Sequence, residues 1–222
     1  MRKSIFGIIS FLCIAGFMLL YSVKTEAQVT YGIKAGVNFA GLSYKDNNTS
    51  ETSKLIKGLE GGAFVNIPVS GLLFIQPSLM YERKGGRLTT DVGGLPVNGN
   101  MRLDYLTLPV DLAVNLKSPG GNASWLVGAG PYIGYGIYGN AMVTGDNSLY
   151  SDNPFENNTS VGGASLKRFD AGANIQIDYE MANHFSVGVN AELGIANIAA
   201  NKAGDNPVHN TSFGAMIGYT FK

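Results

Sequence analysis

The chain has 222 residues, with 16 basic side chains against 16 acidic ones, 30 glycines and a single cysteine. That length suits one domain, and the balanced charge lacks the basic excess that nucleic-acid binding requires. The glycines do not follow the three-residue period of collagen, and no repeat of solenoid type is present.

In chain order, Arg2 and Lys3 come first, followed by the apolar run Ile5 to Leu20 and a polar stretch ending in Thr25, Glu26 and Ala27. This is the layout of a secretory signal peptide over residues 1–27, with cleavage expected after Ala27. The run is near the lower length limit for a retained membrane span, which is the competing reading. Cys13 lies inside it, and the large Phe11 and Leu12 before it argue against a lipidation site. Residues 28–222 therefore hold no thiol, and no disulfide is expected. They carry 13 basic and 15 acidic residues, a formal charge of −2.

From Gln28 onward the sequence alternates with period two in eight stretches. They are Val29 to Leu42, Leu55 to Pro68, Leu72 to Lys84, Met101 to Leu116, Ala123 to Tyr138, Lys167 to Glu180, His184 to Ile198 and Thr211 to Phe221. In the sixth, Phe169, Ala171, Ala173, Ile175, Ile177 and Tyr179 fall on one face, and Asp170, Gly172, Asn174, Gln176, Asp178 and Glu180 on the other. Only an extended strand separates residues this way. Each stretch is long enough to cross a bilayer as a tilted strand. The connections alternate too: long at 43–54, 85–100, 139–166 and 199–210, short around Pro68 to Gly71, Lys117 to Asn122 and Met181 to Asn183. That rhythm predicts an all-β, closed, eight-stranded, antiparallel up-and-down transmembrane barrel over residues 28–222, with short periplasmic turns and long external loops.

A soluble barrel of lipocalin type would turn the apolar face inward, so the direction of the faces needs separate argument. The polar face is rich in glycine, which weakens a solvent-facing strand but suits a narrow interior. Its isolated charges, Lys34, Glu60, Glu82, Asp111, Asp170, Asp178 and Glu192, are of mixed sign and suit pairing across a lumen. Tyr31, Tyr81, Trp125, Tyr135, Tyr179, Phe185, Tyr219 and Phe221 lie on the apolar face toward strand ends, where interfacial girdles belong. The apolar face is therefore assigned to lipid and the polar face to the lumen. Pro77, Pro109 and Pro131 fall within strands three, four and five, where each removes a ladder donor. Bulges are expected to absorb them.

Several segments resemble the outer-membrane β-barrel family common in Bacteroidetes, often called PorT-like. They are YGIKAGVNFAGL at Tyr31 to Leu42, FIQPSLMYERKG at Phe74 to Gly85, DYLTLPVDLAVNL at Asp104 to Leu116 and VGAGPYIGYGI at Val127 to Ile137, with KRFDAGANIQIDYE at Lys167 to Glu180 and GYTF at Gly218 to Phe221. The resemblance covers nearly all of residues 28–222. It implies a barrel in the outer membrane and little about activity. Lys222 departs from the pattern, because such barrels commonly end on the aromatic residue itself.

The candidates for chemistry are few. His184 and His209 are expected at opposite ends of the barrel, which excludes a two-histidine metal site. His209, Ser212 and Asp205 are the residues from which a nucleophile, base and orienting acid would have to be drawn. The alternative reading is that they are polar residues of a loop mouth. No HExxH, CxxC, phosphate loop or calcium loop is present. No catalytic residue, cofactor or metal is therefore assigned. The mixed lumenal charges are expected to form an ion-paired plug rather than a pore. The sequons at Asn48, Asn122 and Asn158 carry no weight in a bacterial envelope protein. The segment Gly139 to Leu166, with Tyr150, Pro154 and Phe155, has the aromatic content of either a contact surface or a lid. The expected role is non-enzymatic, structural or loop-binding, with outer-membrane lipids and an unidentified envelope protein as partners, no nucleic acid, and a monomeric state. A lipid-modifying hydrolase and a small channel are the alternatives.

Overall fold

The computed structural model describes residues 28–46, 49–92, 95–118, 123–145, 148–156, 165–200 and 207–221. The expected signal peptide, the asparagines of the three sequons and Asp205 lie outside the described residues. Ten strands are assigned: β1 Thr30–Asp46, β2 Thr49–Thr52, β3 Ile56–Ser70, β4 Leu73–Val92, β5 Leu95–Lys117, β6 Ser124–Gly145, β7 Ser148–Asp152, β8 Phe169–Glu180, β9 Phe185–Gly194 and β10 Val208–Phe221. Eight of them are staves of one antiparallel barrel in the order β1, β3, β4, β5, β6, β8, β9, β10. The ring closes through an unbroken ladder from Tyr31↔Phe221 to Tyr44↔Val208. Closure leaves no strand edge whose N–H and C=O groups would face hydrocarbon unpaired, at several kcal/mol each. No helix occurs among the described residues.

The faces are those the alternation implies. Leu59, Leu79, Leu112, Ile133, Val189 and Ile217 are exposed on the outside, Ile217 by 66 %. Lys34, Asn38, Glu60, Gln76, Glu82, Asp111, Asp170, Asn174, Gln176 and Glu192 are buried inside. Such an apolar exterior around a polar, closed interior is stable only in a bilayer. At the short-turn end rings line the wall in two groups, one across β6 and β8 and one across β9, β10 and β1. Trp125 meets Tyr179 at 4.9 Å, Phe185 meets Tyr219 at 5.0 Å, Tyr219 meets Phe221 at 5.0 Å, and Phe221 meets Tyr31 at 5.4 Å. At the other end, Lys54, Lys57, Arg87 and Arg102 are exposed on the outside of the β3–β5 arc. Lys54 and Arg87 are paired there by two backbone hydrogen bonds of 2.9 Å.

Three details correct the sequence reading. First, much of the expected long external loops is ladder. β4 and β5 stay paired out to Val92↔Leu95, β2 folds back on β1, and β7 folds back on β6. Polar composition there had suggested loops, but hydrogen bonding to a neighbour outside the membrane needs no apolar face.

Second, the strand expected to run to Ile198 ends at Gly194. The amides of Ile195 and Ala196 both donate to Ala171 O at 2.9 Å, and the chain then turns over the barrel mouth.

Third, the prolines cause no bulge. Pro77 pairs with Val110, Pro109 with Tyr132 and Pro131 with Ala173, each on the following stave. Toward the preceding stave the ladder skips two pairs and resumes in the same register. It skips from Phe64↔Ser78 to Ile67↔Ile75, from Pro77↔Val110 to Met80↔Thr107, and from Pro109↔Tyr132 to Leu112↔Ala129. In an antiparallel strand a residue directs its N–H and C=O to the same neighbour. A missing donor therefore opens one side only, and the intact ladder on the other side holds the register. The shift between β5 and β6 occurs instead at Asp104/Tyr105.

Candidate functional site

Most of the buried polar groups among the described residues gather in the lumen, which is layered along the barrel axis. At the short-turn end a vestibule of about 330 Å³ is lined by Thr30, Asn66, Asn115, Lys117, Glu180 and His184 among others. Thr220 Oγ1 donates to Glu180 Oε2 at 2.9 Å, and His184 Nδ1 stands 3.7 Å from Glu180 Oε1. His184 has φ of 68°, a conformation that a turn imposes and that histidine tolerates better than most residues.

Above the vestibule a hydrogen-bond chain crosses the bore. Lys34 Nζ donates to Gln176 Oε1 at 2.8 Å, Gln176 Nε2 donates to Gln76 Oε1, Gln76 Nε2 donates to Asn66 Oδ1 at 2.6 Å, and Asn66 Nδ2 donates to Thr30 Oγ1 at 3.2 Å. Asn174 Nδ2 donates to Asp111 Oδ2 at 2.7 Å beside it.

The next layer is centred on Lys84, 1 % exposed. Its ammonium pairs with Glu192, lies 3.3 Å from Glu82 Oε2 and 3.7 Å from Asp170 Oδ2, and sits 4.5 Å from the centre of the Tyr132 ring. Thr107 Oγ1 donates to Glu82 at 2.9 Å, while Tyr132 Oη and Asn210 Nδ2 donate to Asp170 Oδ2 at 3.1 and 2.9 Å. A buried ammonium is tolerated only with such multiple pairing. The small residues predicted for the interior make room for lumenal acids outside this layer. Cβ atoms on Gly214 or Gly188 would strike Glu60 or Asp178, respectively.

The external mouth is sealed by an apolar cluster of Leu42, Leu103, Tyr105, Phe155, Leu166 and Ile198. Phe155 meets Tyr105 edge-on at 5.9 Å, and Arg168 lies over its other side at 5.1 Å while donating to Gly136 O at 2.9 Å. A side chain at Gly136 would collide with the Phe155 ring, so glycine there lets Phe155 seat. The segments carrying Phe155, Leu166 and Ile198 are tied together by Leu166 N→Pro154 O at 2.7 Å and Lys167 N→Ile198 O at 2.7 Å. An apolar cap thus sits on a charged plug.

The lumenal acids and Lys34 singled out by sequence all line this bore. Lys84 was not singled out, although it follows Glu82 by two residues and so shares its face; Phe155, named within a segment that suits a contact surface or a lid, is part of the cap. His184 and His209 stand at opposite ends of the barrel, as expected. His209 and Ser212, by contrast, do not assemble. They are three apart on β10 and so lie on opposite faces, with Ser212 buried in the lumen and His209 Nδ1 3.0 Å from Ala196 O. Among the described residues no group of three or more His, Cys, Asp or Glu is disposed to hold a metal.

Residues 24–200 match the family model described as outer membrane protein beta-barrel domain. The chain belongs to that family. It is an outer-membrane protein, and the closed ring with its lipid-facing exterior is the family's barrel in this sequence. Among solved structures, the attachment invasion locus protein Ail of Yersinia pestis is similar over 88 % of this chain and 100 % of its own, at 12 % identity and TM-score 0.42. Neisserial surface protein A is similar over 88 % and 100 %, at 10 % and 0.44. OprG of Pseudomonas aeruginosa is similar over 86 % and 95 %, at 11 % and 0.44. No curated protein sequence is matched.

Proposed function

We propose that this protein is a non-enzymatic, non-conducting barrel of the PorT-like type found in Bacteroidetes, whose external hairpins bind an envelope or surface protein. The observation that carries this reading is the doubly closed bore: a charged plug around Lys84 beneath an apolar cap centred on Phe155. With transport through the centre opposed, the surface offered to a partner is the outside of the barrel. Lipid takes the apolar wall, and what extends past it are the paired ends of β4 with β5 and of β6 with β7. Ladders of this kind are pre-ordered, so a partner that adds to them loses little conformational entropy on binding. The separation of His209 from Ser212 across the wall supports a role without catalysis.

Crosslinking in intact envelopes, followed by purification, tests this. A variant whose β4–β5 hairpin is shortened above Arg87 and Asn100 is expected to lose a crosslinked protein that the full chain retains. Turnover of labelled outer-membrane lipids by the purified protein, abolished by replacing His209 or Ser212, would overturn the reading in favour of a hydrolase.

A further inference from the structure

We propose that the outward face of β3, β4 and β5 at the external rim binds the headgroup of one multiply phosphorylated lipid of the outer leaflet, through Lys54, Lys57, Arg87 and Arg102. Lys54 and Arg87 oppose one another directly, each amide donating to the other's carbonyl at 2.9 Å. In such a pair the Cα atoms are about 5.5 Å apart and both side chains leave the sheet on one side. Two cations set so close repel. Arg102 brings a third charge to them. Arg87 pairs with Asn100, and Arg102 is two residues further along β5, a diagonal separation of roughly 7–8 Å that long side chains span. All of these cations are exposed. Asp104 is the one carboxylate among the described side chains on this face, and Arg83 holds it through hydrogen bonds of 2.8 and 3.3 Å. The positive charge at the rim is therefore left for an anion from outside the chain.

The level of the cations on the wall says which anion. Lys57 pairs with Phe39, whose ring stacks on Phe213 at 5.8 Å, and Leu59 follows Lys57 by two residues on the same face. Leu59, Leu79 and Leu106 are exposed below it on β3, β4 and β5. The charges thus begin where the apolar belt ends, at the height of lipid headgroups. A lipid can lay its acyl chains along those leucines while its phosphates meet the cations. Arginine takes a phosphate through two N–H groups and lysine takes it as a point charge. From Lys54 on β3 to Arg102 on β5 is two strand spacings, about 10 Å. A headgroup with a phosphate at each end of a disaccharide meets both ends of that row, which a single phosphate does not.

Native mass spectrometry of the full barrel in a non-ionic detergent, titrated with diphosphoryl lipid A, its monophosphoryl form and phosphatidylglycerol, tests the proposal. One diphosphoryl molecule per barrel is expected, held about tenfold or more tighter than either lipid with one phosphate. Chelation of divalent ions with EDTA should not release it, because the protein itself supplies the counter-charge. Arg87→Ser combined with Arg102→Ser should weaken binding by about tenfold or more. Lys167→Ser, which removes an exposed cation away from these three staves, should leave it unchanged. The comparison among lipids on the unaltered protein decides the matter even if the double variant folds poorly. Equal retention of all three lipids, or release by EDTA, would overturn the proposal. Displacement by an equal concentration of inorganic triphosphate would also overturn it, in favour of a site for soluble anions.

Discussion

An ammonium group taken out of water loses several kcal/mol of hydration, and in this barrel Lys84 recovers it from three carboxylates and an aromatic face. The arrangement depends on its cation. Lys84→Met would leave Glu82, Asp170 and Glu192 crowded without a counter-charge, and is expected to destabilise the barrel by about 3–5 kcal/mol in urea titrations in lipid or detergent. Adding Glu192→Gln to that variant should recover part of the loss, because one repelling charge is removed. Recovery would identify the cost as unpaired charge rather than lost packing. The sequence announced most of these residues by period alone: a charge two positions from another charge on a lipid-crossing strand must share its lumen. It could not announce who pairs with whom. Lys84 and Glu192 are 108 positions apart and meet only because the barrel closes. The apolar cap is legible only in part, since the aromatic content of Gly139 to Leu166 suits a contact surface as well as a lid. Phe155 and Leu166 lie in a polar stretch with no strand period, and their burial is decided by Tyr105 on a distant stave.

At the level of strands, alternation located all eight staves and their facing, since a one-residue slip would turn every leucine into the bore. It misjudged where strands stop, because hydrogen bonding between β4 and β5 continues beyond the point at which membrane contact imposes a pattern. The prolines were expected to bulge and instead interrupt only the ladder behind them. Register on both sides of Pro109 is the same, so replacement by alanine needs no shift of the strands. Pro109→Ala is expected to change unfolding free energy by about 1 kcal/mol or less. Amide exchange offers a local check. Residues near 65, 79 and 110 on the interrupted sides should exchange faster than the uninterrupted β1–β10 joint.

For the molecule as a whole, an apolar belt outside and a double seal inside give two expectations. The protein should require detergent or lipid to stay dispersed and should show β-type circular dichroism without a helical signal; stable monomers in plain buffer would contradict the lipid-facing wall. In planar bilayers it should pass no steady current. Phe155→Ala alone is expected to leave it closed, because the Lys84 layer lies beneath the cap; reproducible conductance in the unmodified protein would show that the plug yields.

The rings at the short-turn end and the exposed cations Lys54, Lys57, Arg87 and Arg102 at the other end occupy different arcs of the wall. Aromatic rings settle at water–hydrocarbon boundaries, as Phe39 stacked on Phe213 does toward the external end, and lysine and arginine reach for phosphates. A cylinder with cations gathered on one flank of its rim is not free to spin or to tip equally in every direction. It has a preferred heading and lean, which a symmetric barrel of the same size would lack. Polarised infrared spectra of aligned bilayers should therefore give one narrow distribution of strand tilt. Replacing Lys54, Lys57, Arg87 and Arg102 with serine should broaden it while leaving the fold intact.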